Sequence, residues 1–483
     1  MKLSKILKNI EHSGKYNDID ISNITYDSRK VKKNSLFIAI SGENDDGHDY
    51  ILEAINSGAS AIIANGRAPI TDIVPIIQVS NPRKAMSRIA SNFYNNPSKN
   101  LNIIGVTGTN GKTTTTQIID HIIKFSRKTS SSLGTLGFNT PSGIISTGFT
   151  TPESIELHQI LKTISDGGIE YVPMEISSHA IELYRVKDII VDIAIFTNLG
   201  YDHLDFHKSK ENYFHSKLKL FTGLNKNSTA LLNYDDVKTK EIIKKINCKI
   251  LTFGFNENAN LNIAKYDLKL NRTLISFEFG DISFSIKTNL IGKFNISNIS
   301  AAILCCIKIG IPINTIKESF KYFDNVPGRL ETYKTSNNNT VIIDYAHTPD
   351  AFQNIYENMQ ILKQKNQKII SIYGCGGNRD KSKRSMIGKI SDKYSDYIYI
   401  TNDNPRNECE NEIIKDICNS INIEKYEIIK DRKNAILKAL STMKNSIILI
   451  LGKGVEKYQI IKNKKIPHSD IEIVTNYINE NRN

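Results

Sequence analysis

The chain has 483 residues, 40% of them hydrophobic, with 63 Lys and Arg against 50 Asp and Glu, a formal net charge of +13. That length predicts about three domains of ordinary size, each able to bury a core. The basic excess is dispersed, with small clusters such as Lys30, Lys32, Lys33 and Lys462, Lys464, Lys465 and no interleaved aromatics, which argues against a nucleic-acid surface.

The six cysteines show neither metal-site nor disulfide spacing, so a reducing cytoplasm is expected. The N-terminus MKLSKILKNIEHSGK breaks its apolar residues with charges, and no apolar run approaches the roughly 18 residues of a membrane span. No membrane association is expected.

Residues 1–97 read as a small α/β unit. Short apolar strands are predicted at 36–40, 59–64 and 75–79, and helices at 50–57 and 82–94, with Pro82 in the first turn where its missing N–H costs nothing. NNPSKN at 95–100 reads as a linker.

The stretch IIGVTGTNGKTTTT (103–116) follows. An apolar β-branched run, a glycine loop and a helix-period pattern form the parts of a phosphate cradle. Gly108 and Gly111 let backbone N–H groups approach phosphate oxygens, and the helix points its positive end at the same anion. Lys112 would bridge β- and γ-phosphates and the Thr113 hydroxyl would hold Mg²⁺. The strict pattern G-x-x-x-x-G-K-[ST] is not met, because Val106 stands at its first glycine.

The second segment runs from 98 to 327. It continues with TTPE (150–153), a strand-like run YVPMEISSHA (171–180), a strand DIAIFTNLG (192–200) and the polar DHLDFH (202–207). Alternation over 247–290 predicts a half-exposed antiparallel patch, and a helix then places Asn295 and Asn298 on one face. The third segment, 328–483, alternates strands at 341–346, 368–374, 396–401 and 446–452 with helical stretches, the pattern of a doubly wound parallel sheet. The ends of these strands carry DYAH (344–347), GCGGNRD (374–380), DNPR (403–406) and GKGVE (452–456). Four polar or glycine-rich loops on one rim point to a ligand.

Glu175 and His203 follow apolar strands and would reach the cradle's rim, where they suit a divalent metal if further oxygen ligands exist. Read alone, Glu175 also fits a buried acid paired with Ser177 or Ser178, and His203 fits an N-cap or loop histidine.

GTNGKTT, TTPE, MEISSH, NLGYDHLD, GKFNISN, DYAHTPD, GCGGNRD and DNPRNE occur in one order, and in that order the chain resembles the Mur ligases, most closely their diaminopimelate-adding branch. The resemblance covers essentially the whole chain. It implies an N-terminal uridine-nucleotide domain, a central P-loop ATPase domain and a C-terminal Rossmann-like amino-acid domain. It also implies a cytoplasmic, monomeric enzyme that uses ATP and Mg²⁺ to add meso-diaminopimelate to UDP-MurNAc-L-Ala-D-Glu through an acyl phosphate. The same reaction with L-lysine, or a folylpolyglutamate synthase-like ligase, is the alternative.

The resemblance assigns residues as well. Tyr26, Ser28 and Glu43, Asn44, Asp45 would meet the uridine end, and Thr150, Thr151, Ser177 and Arg185 the muramoyl peptide. ATP would lie on Gly108, Thr109, Asn110, Gly111, Lys112, Thr113 and Thr114, near Asn295 and Asn298, with Arg329 and His347 closing over it. Lys217 matches the family's carbamylated lysine, which would join Thr113, Glu175 and His203 as metal ligand, since carbamylation turns an ammonium into an oxygen donor. Without the resemblance Lys217 reads as a surface helix lysine. Arg406 of Asp403-Asn404-Pro405-Arg406 would clamp the distal carboxylate of diaminopimelate, with Arg379, Gly452 and Glu456 assisting. Three positions depart from common relatives: Leu183, Val455 and Phe149.

Overall fold

The computed structural model describes residues 1–42, 45–69, 72–140, 143–145, 147–462 and 464–481. Three main sheets follow one another along the chain. A four-stranded parallel sheet runs Asn23–Thr25, Ser35–Ile38, Ala59–Ala64, Ile76–Gln78 in spatial order. Beside it lies the helix Pro82–Phe93, with Asn81 as N-cap and Pro82 in its first turn. The expected linker at 95–100 is a 3-10 turn over Pro97–Asn100.

The second sheet has eleven strands, and the cradle strand Asn102–Thr107 lies inside it between Tyr171–Glu175 and Ile193–Phe196, all parallel. Alternation sorts its side chains. Ile104 and Val106 join one core with Ile118, Ile122 and Ile299, while Ile103 joins the opposite core with Val172, Ala194 and Phe196. Burial on both faces explains why these strands read as continuous apolar runs. The chain leaves the cradle strand toward one side and later returns to the other, so a crevice opens at the strands' C-terminal ends. At the sheet's end, Leu261–Lys269, Arg272–Phe279 and Ile282–Thr288 form the expected antiparallel patch.

The third sheet places Thr340–Asp344, Ser446–Leu451, Lys368–Tyr373 and Tyr397–Ile400 side by side in parallel, with Glu331–Lys334 antiparallel at one edge. Its two faces are covered by separate cores, one around Ile342, Ile369 and Leu449, the other around Ile343, Ile370 and Ile448.

One element differs from expectation. The run 171–180 is strand only through Glu175, and Ser177 then N-caps a helix over Ser178–Glu182 by accepting from the Ala180 amide. Ser177 is the reason: its hydroxyl replaces a ladder hydrogen bond with a cap. Among the described residues no helix is long and apolar enough to cross a membrane.

Candidate active site

The cradle loop is held by its neighbours as well as by its own lysine. The Thr109 amide donates to the Asn198 carbonyl at 2.9 Å and the Asn110 amide to Asn198 Oδ1 at 3.0 Å. Gly111 sits at φ +87°, and a Cβ there would stand 2.2 Å from Asn298 Oδ1. A Cβ at Gly108 would meet Thr197 Oγ1 at 1.9 Å. Both glycines are therefore required by close approach. Asn298 in turn donates to Asn295 Oδ1 at 3.0 Å, one turn away on the same helix, so the expected shared face is an interacting pair.

Lys112 Nζ donates to the carbonyls of Gly108 and Thr109 at 2.9 and 2.8 Å. Lys217 Nζ reaches the same Gly108 carbonyl at 2.9 Å and lies 4.4 Å from the Tyr213 ring centroid. Lys217 is only 1% exposed, which overturns the surface-lysine reading. Burial, then the neighbouring Lys112 charge, pushes its amine well below the usual lysine range, with Asp202 opposing. Lys112 is lowered too, chiefly by burial.

Glu175 is 2% exposed. Oε2 accepts from Thr113 Oγ1 at 3.0 Å and from Thr135 Oγ1 at 3.2 Å, and Oε1 from the Thr135 amide at 2.8 Å. Neither serine of the alternative reading pairs with it. All its donors are neutral, so a buried carboxylate faces the cradle with no salt bridge among the described residues, one oxygen ligand for a divalent cation if others join it. Arg329 crosses from the third segment to donate to Thr113 Oγ1 at 3.0 Å. His203 occupies the N-cap position of the short helix Leu204–His207, at φ +55°, with Nε2 3.2 Å from Asp202 Oδ2.

Two cavities meet here. The first, about 520 Å³, is lined by Thr109 through Thr114 and by Glu175, Lys217, Asn298 and Arg329. The second, about 610 Å³, is lined by Arg379, Lys383, Asp403, Asn404, Arg406 and Glu456. Asp202, His203, Tyr345 and His347 belong to both walls. Gly452 lines the second, and Thr150 and Ser177 the first.

Arg406 has φ +53°. Its Nη1 donates to the Gly377 carbonyl at 2.9 Å, and it forms no salt bridge among the described residues. Burial and then Arg379 lower its pKa. Glu456 Oε2 already accepts from buried Lys453 at 2.6 Å and from Asn404 at 3.0 Å. Pro405 lines neither cavity; its carbonyl accepts from the Glu408 amide instead.

The uridine-end positions are less gathered. Tyr26 donates to Glu156 Oε1 at 3.2 Å, Ser28 opens a 3-10 turn, and Asp45 is exposed; none lines either cavity. Glu43 and Asn44 lie outside the described residues. Thr151 bridges the Glu175 carbonyl and the Ser177 amide, and Arg185 donates to the Thr151 carbonyl while pairing with Glu153 at 2.7 Å. Of the departures, Leu183 caps the Ser178–Glu182 helix and Phe149 lies under the Arg185 guanidinium at 5.1 Å.

Sequence reasoning missed Thr135, Asn198, Tyr213 and Lys383. Only Asn198 carried a signal, as a polar residue ending an apolar strand.

A phosphate cradle, a buried carboxylate beside it and an adjoining arginine-walled cavity, spread over two segments, fit the site of a P-loop, ATP-dependent ligase. Three family profiles match in order: Mur ligase family, catalytic domain at 20–94, Mur ligase middle domain at 106–306, and Mur ligase, glutamate ligase domain at 328–454. The chain belongs to the Mur ligase family. It is 40% identical to a UDP-N-acetylmuramoyl-L-alanyl-D-glutamate--2,6-diaminopimelate ligase of Clostridium botulinum, over 99% of this chain and all of the relative. A solved structure of a protein with that same name superposes with a TM-score of 0.70 at 26% identity, covering 100% of this chain and 99% of the other. MurF ligase from Thermotoga maritima in complex with ADP matches in fold, with a TM-score of 0.65 at 21% identity, over 95% and 97% of the chains.

Proposed function

We propose that this enzyme adds 2,6-diaminopimelate to the D-glutamate carboxyl of UDP-N-acetylmuramoyl-L-alanyl-D-glutamate, driven by ATP, in peptidoglycan precursor synthesis. The observation that carries this reading is the shared wall of the two cavities, which sets a phosphate cradle against an arginine-lined space. Residues 1–97, 98–327 and 328–483 take the nucleotide-peptide, ATP and the amino acid respectively.

ATP phosphorylates the glutamate carboxylate, giving an acyl phosphate and ADP. The deprotonated amine of the amino acid attacks the acyl carbon, and the tetrahedral adduct expels phosphate and leaves the amide. The chain's own part is positioning and charge. The Gly108–Thr114 backbone and Lys112 hold the phosphates, Arg329 adds positive charge from the third segment, and Asn295 and Asn298 brace the loop near the adenine. Tyr26, Ser28 and Asp45 serve the uridine end, and Thr150, Thr151, Ser177 and Arg185 the peptide, delivering its carboxylate to the cradle. Arg406 and Arg379 hold the distal carboxylate of the amino acid.

Thr113, Glu175 and His203 would hold a Mg²⁺, with Lys217 joining them as a carbamate. The ion would screen phosphate charge during transfer. The depressed Lys217 pKa favours the neutral amine that carbon dioxide requires.

Phosphate release measured with diaminopimelate and with L-lysine tests the reading. Strong release with diaminopimelate and little with lysine is expected; a preference for lysine overturns it.

A further inference from the structure

Both arginines facing the second cavity sit on loops, Arg379 in 374–380 and Arg406 in 402–408, and loops hold a guanidinium in place only if something fixes them. The fixing element lies behind the cavity. Arg384, in the first turn of the helix Ser382–Tyr394, is completely buried. Its fork meets Glu408 bidentately, Nη1 to Oε1 and Nη2 to Oε2, both at 2.8 Å. Nη1 also donates to Asp416 at 2.9 Å, and Nη2 to the Gly376 carbonyl at 3.2 Å.

Glu408 closes the circuit. Its Oε2 accepts the Asn378 amide at 2.9 Å, so one carboxylate grips the first loop through backbone while belonging to the second. Three further bonds run between the loops: Gly377 amide to Asn404 carbonyl at 2.9 Å, Asn407 amide to Asn378 Oδ1 at 3.0 Å, and Arg406 Nη1 to the Gly377 carbonyl at 2.9 Å. The approach leaves no slack, since a Cβ on Gly377 would stand 1.9 Å from the Pro405 carbonyl. Arg406 itself holds a left-handed backbone, which persists in a non-glycine residue only when its surroundings over-determine it. Its amide donates to the Ile460 carbonyl at 2.9 Å, and its carbonyl accepts from Lys462 at 2.7 Å.

We propose that Arg384 and Glu408 are positioning residues for the amino-acid clamp: their buried bidentate pair sets the spacing of the two loops and so aims Arg406 at the substrate's distal carboxylate. The inference rests on the assignment of the second cavity to diaminopimelate. A buried ion pair adds little net stability over an apolar pair of the same shape; what this one supplies is direction. The fork of Arg384 matches a carboxylate in a plane that an ammonium cannot reproduce. The Glu408 carboxyl is held far below the usual range, chiefly by Arg384 and also by the Asn378 amide and Lys381, so the pair stays charged throughout the working pH range.

The test is steady-state kinetics on the full-length enzyme, varying each of the three substrates, for Glu408→Gln, Arg384→Lys, Arg406→Ala and the Glu408→Gln/Arg406→Ala double variant, with melting temperatures for all. Glu408→Gln is expected to raise KM for diaminopimelate about tenfold, as a misaimed contact does, while KM for ATP and for the nucleotide-peptide stays put. In the Arg406→Ala background the same change is expected to add nothing further, because the group it aims is gone. An unchanged diaminopimelate KM in Glu408→Gln, a loss spread evenly over all substrates in step with the melting temperature, or full additivity in the double variant overturns the positioning role. If Glu408→Gln does not fold, Arg384→Lys, which keeps the charge and loses the fork, carries the same comparison. An unchanged KM in Arg406→Ala itself is a different failure: it removes the cavity assignment, and the positioning role falls with it.

Discussion

Replacing Arg406 with alanine separates recognition of diaminopimelate from chemistry. The guanidinium lines the second cavity, its Nη1 is committed to the Gly377 carbonyl, and no carboxylate among the described residues forms a salt bridge with it. A charged hydrogen bond to a desolvated carboxylate contributes about 1.5 to 3 kcal/mol. Truncation also strands the substrate's carboxylate beside Glu456 and Asp403. A loss near 3 kcal/mol corresponds to about a 100-fold rise in KM for diaminopimelate. L-Lysine has no distal carboxylate, so its weaker use should change little and the preference for diaminopimelate should shrink by about the same factor. Phosphate release, with each amino acid varied at saturating ATP and nucleotide-peptide, reads both quantities. A change in KM below about threefold, the size of an ordinary surface contact, or an unaltered preference over lysine, refutes the clamp.

Lys217→Ala should abolish ATP-dependent turnover and regain part of it when a short carboxylic acid is added, since the acid restores an oxygen donor; full activity without rescue removes the carbamate role. A separate expectation concerns acid stability. His158 is fully buried, neither ring nitrogen has a partner among the described residues, and burial pushes its pKa down to about 3 from 6.5. A base depressed in the folded state contributes stability that is present above the unfolded pKa and lost as pH falls, because only the unfolded chain takes up the proton. At about 1.4 kcal/mol per unit, roughly 2 kcal/mol should disappear by pH 5. His158→Leu should remove that pH dependence, read as denaturant midpoints at pH 7 and pH 5; equal midpoint shifts in the two proteins contradict it.

The strands legible in the sequence are those buried on both faces. Asn102–Thr107 and Ser446–Leu451 carry unbroken apolar runs because helices cover each side. The run at 171–180 misleads because its second half is also buried: Ile176, Ala180 and Ile181 join the same core as the strand residues Val172 and Met174, although Ser177 starts a helix after the strand ends. The hairpin Tyr458–Ile461 and Lys464–Pro467 gives no signal, being half-exposed and lysine-rich, yet its Ile460 carbonyl and Lys462 amide hold the Arg406 backbone. Site residues were legible where backbone chemistry demands a residue type, as at Gly108 and Gly111. They were illegible where a long-range partner defines the role, as with Thr135 on Glu175 and Arg384 on Glu408, each separated by 24 residues or more. Lys217 belongs to the same class: nothing in ENYFHSKLKLF distinguishes a lysine facing solvent from one whose ammonium lies against the Gly108 carbonyl.

Hydrogen bonds between the second and third segments flank the junction between the cavities. Arg329 reaches Thr113 Oγ1, and Asp350 of the third segment accepts the Tyr201 amide at 2.6 Å. Each such bond contributes about 1 kcal/mol net, beside the Lys293 amide bond to Asn358 and the packing of Ile291 and Phe294 on the third segment's core. Both bonds lie at the site: Thr113 is in the cradle, and Tyr201 adjoins the shared wall of Asp202 and His203. On the proposed function, a nucleotide held by Lys112 on one side and Arg329 on the other would make contacts that exist only when the segments are together, and its binding free energy would favour the arrangement in which the amino-acid cavity opens onto the acyl carbon. Phosphate contacts would then stabilise the shared wall of Asp202, His203, Tyr345 and His347, through which the amine would attack.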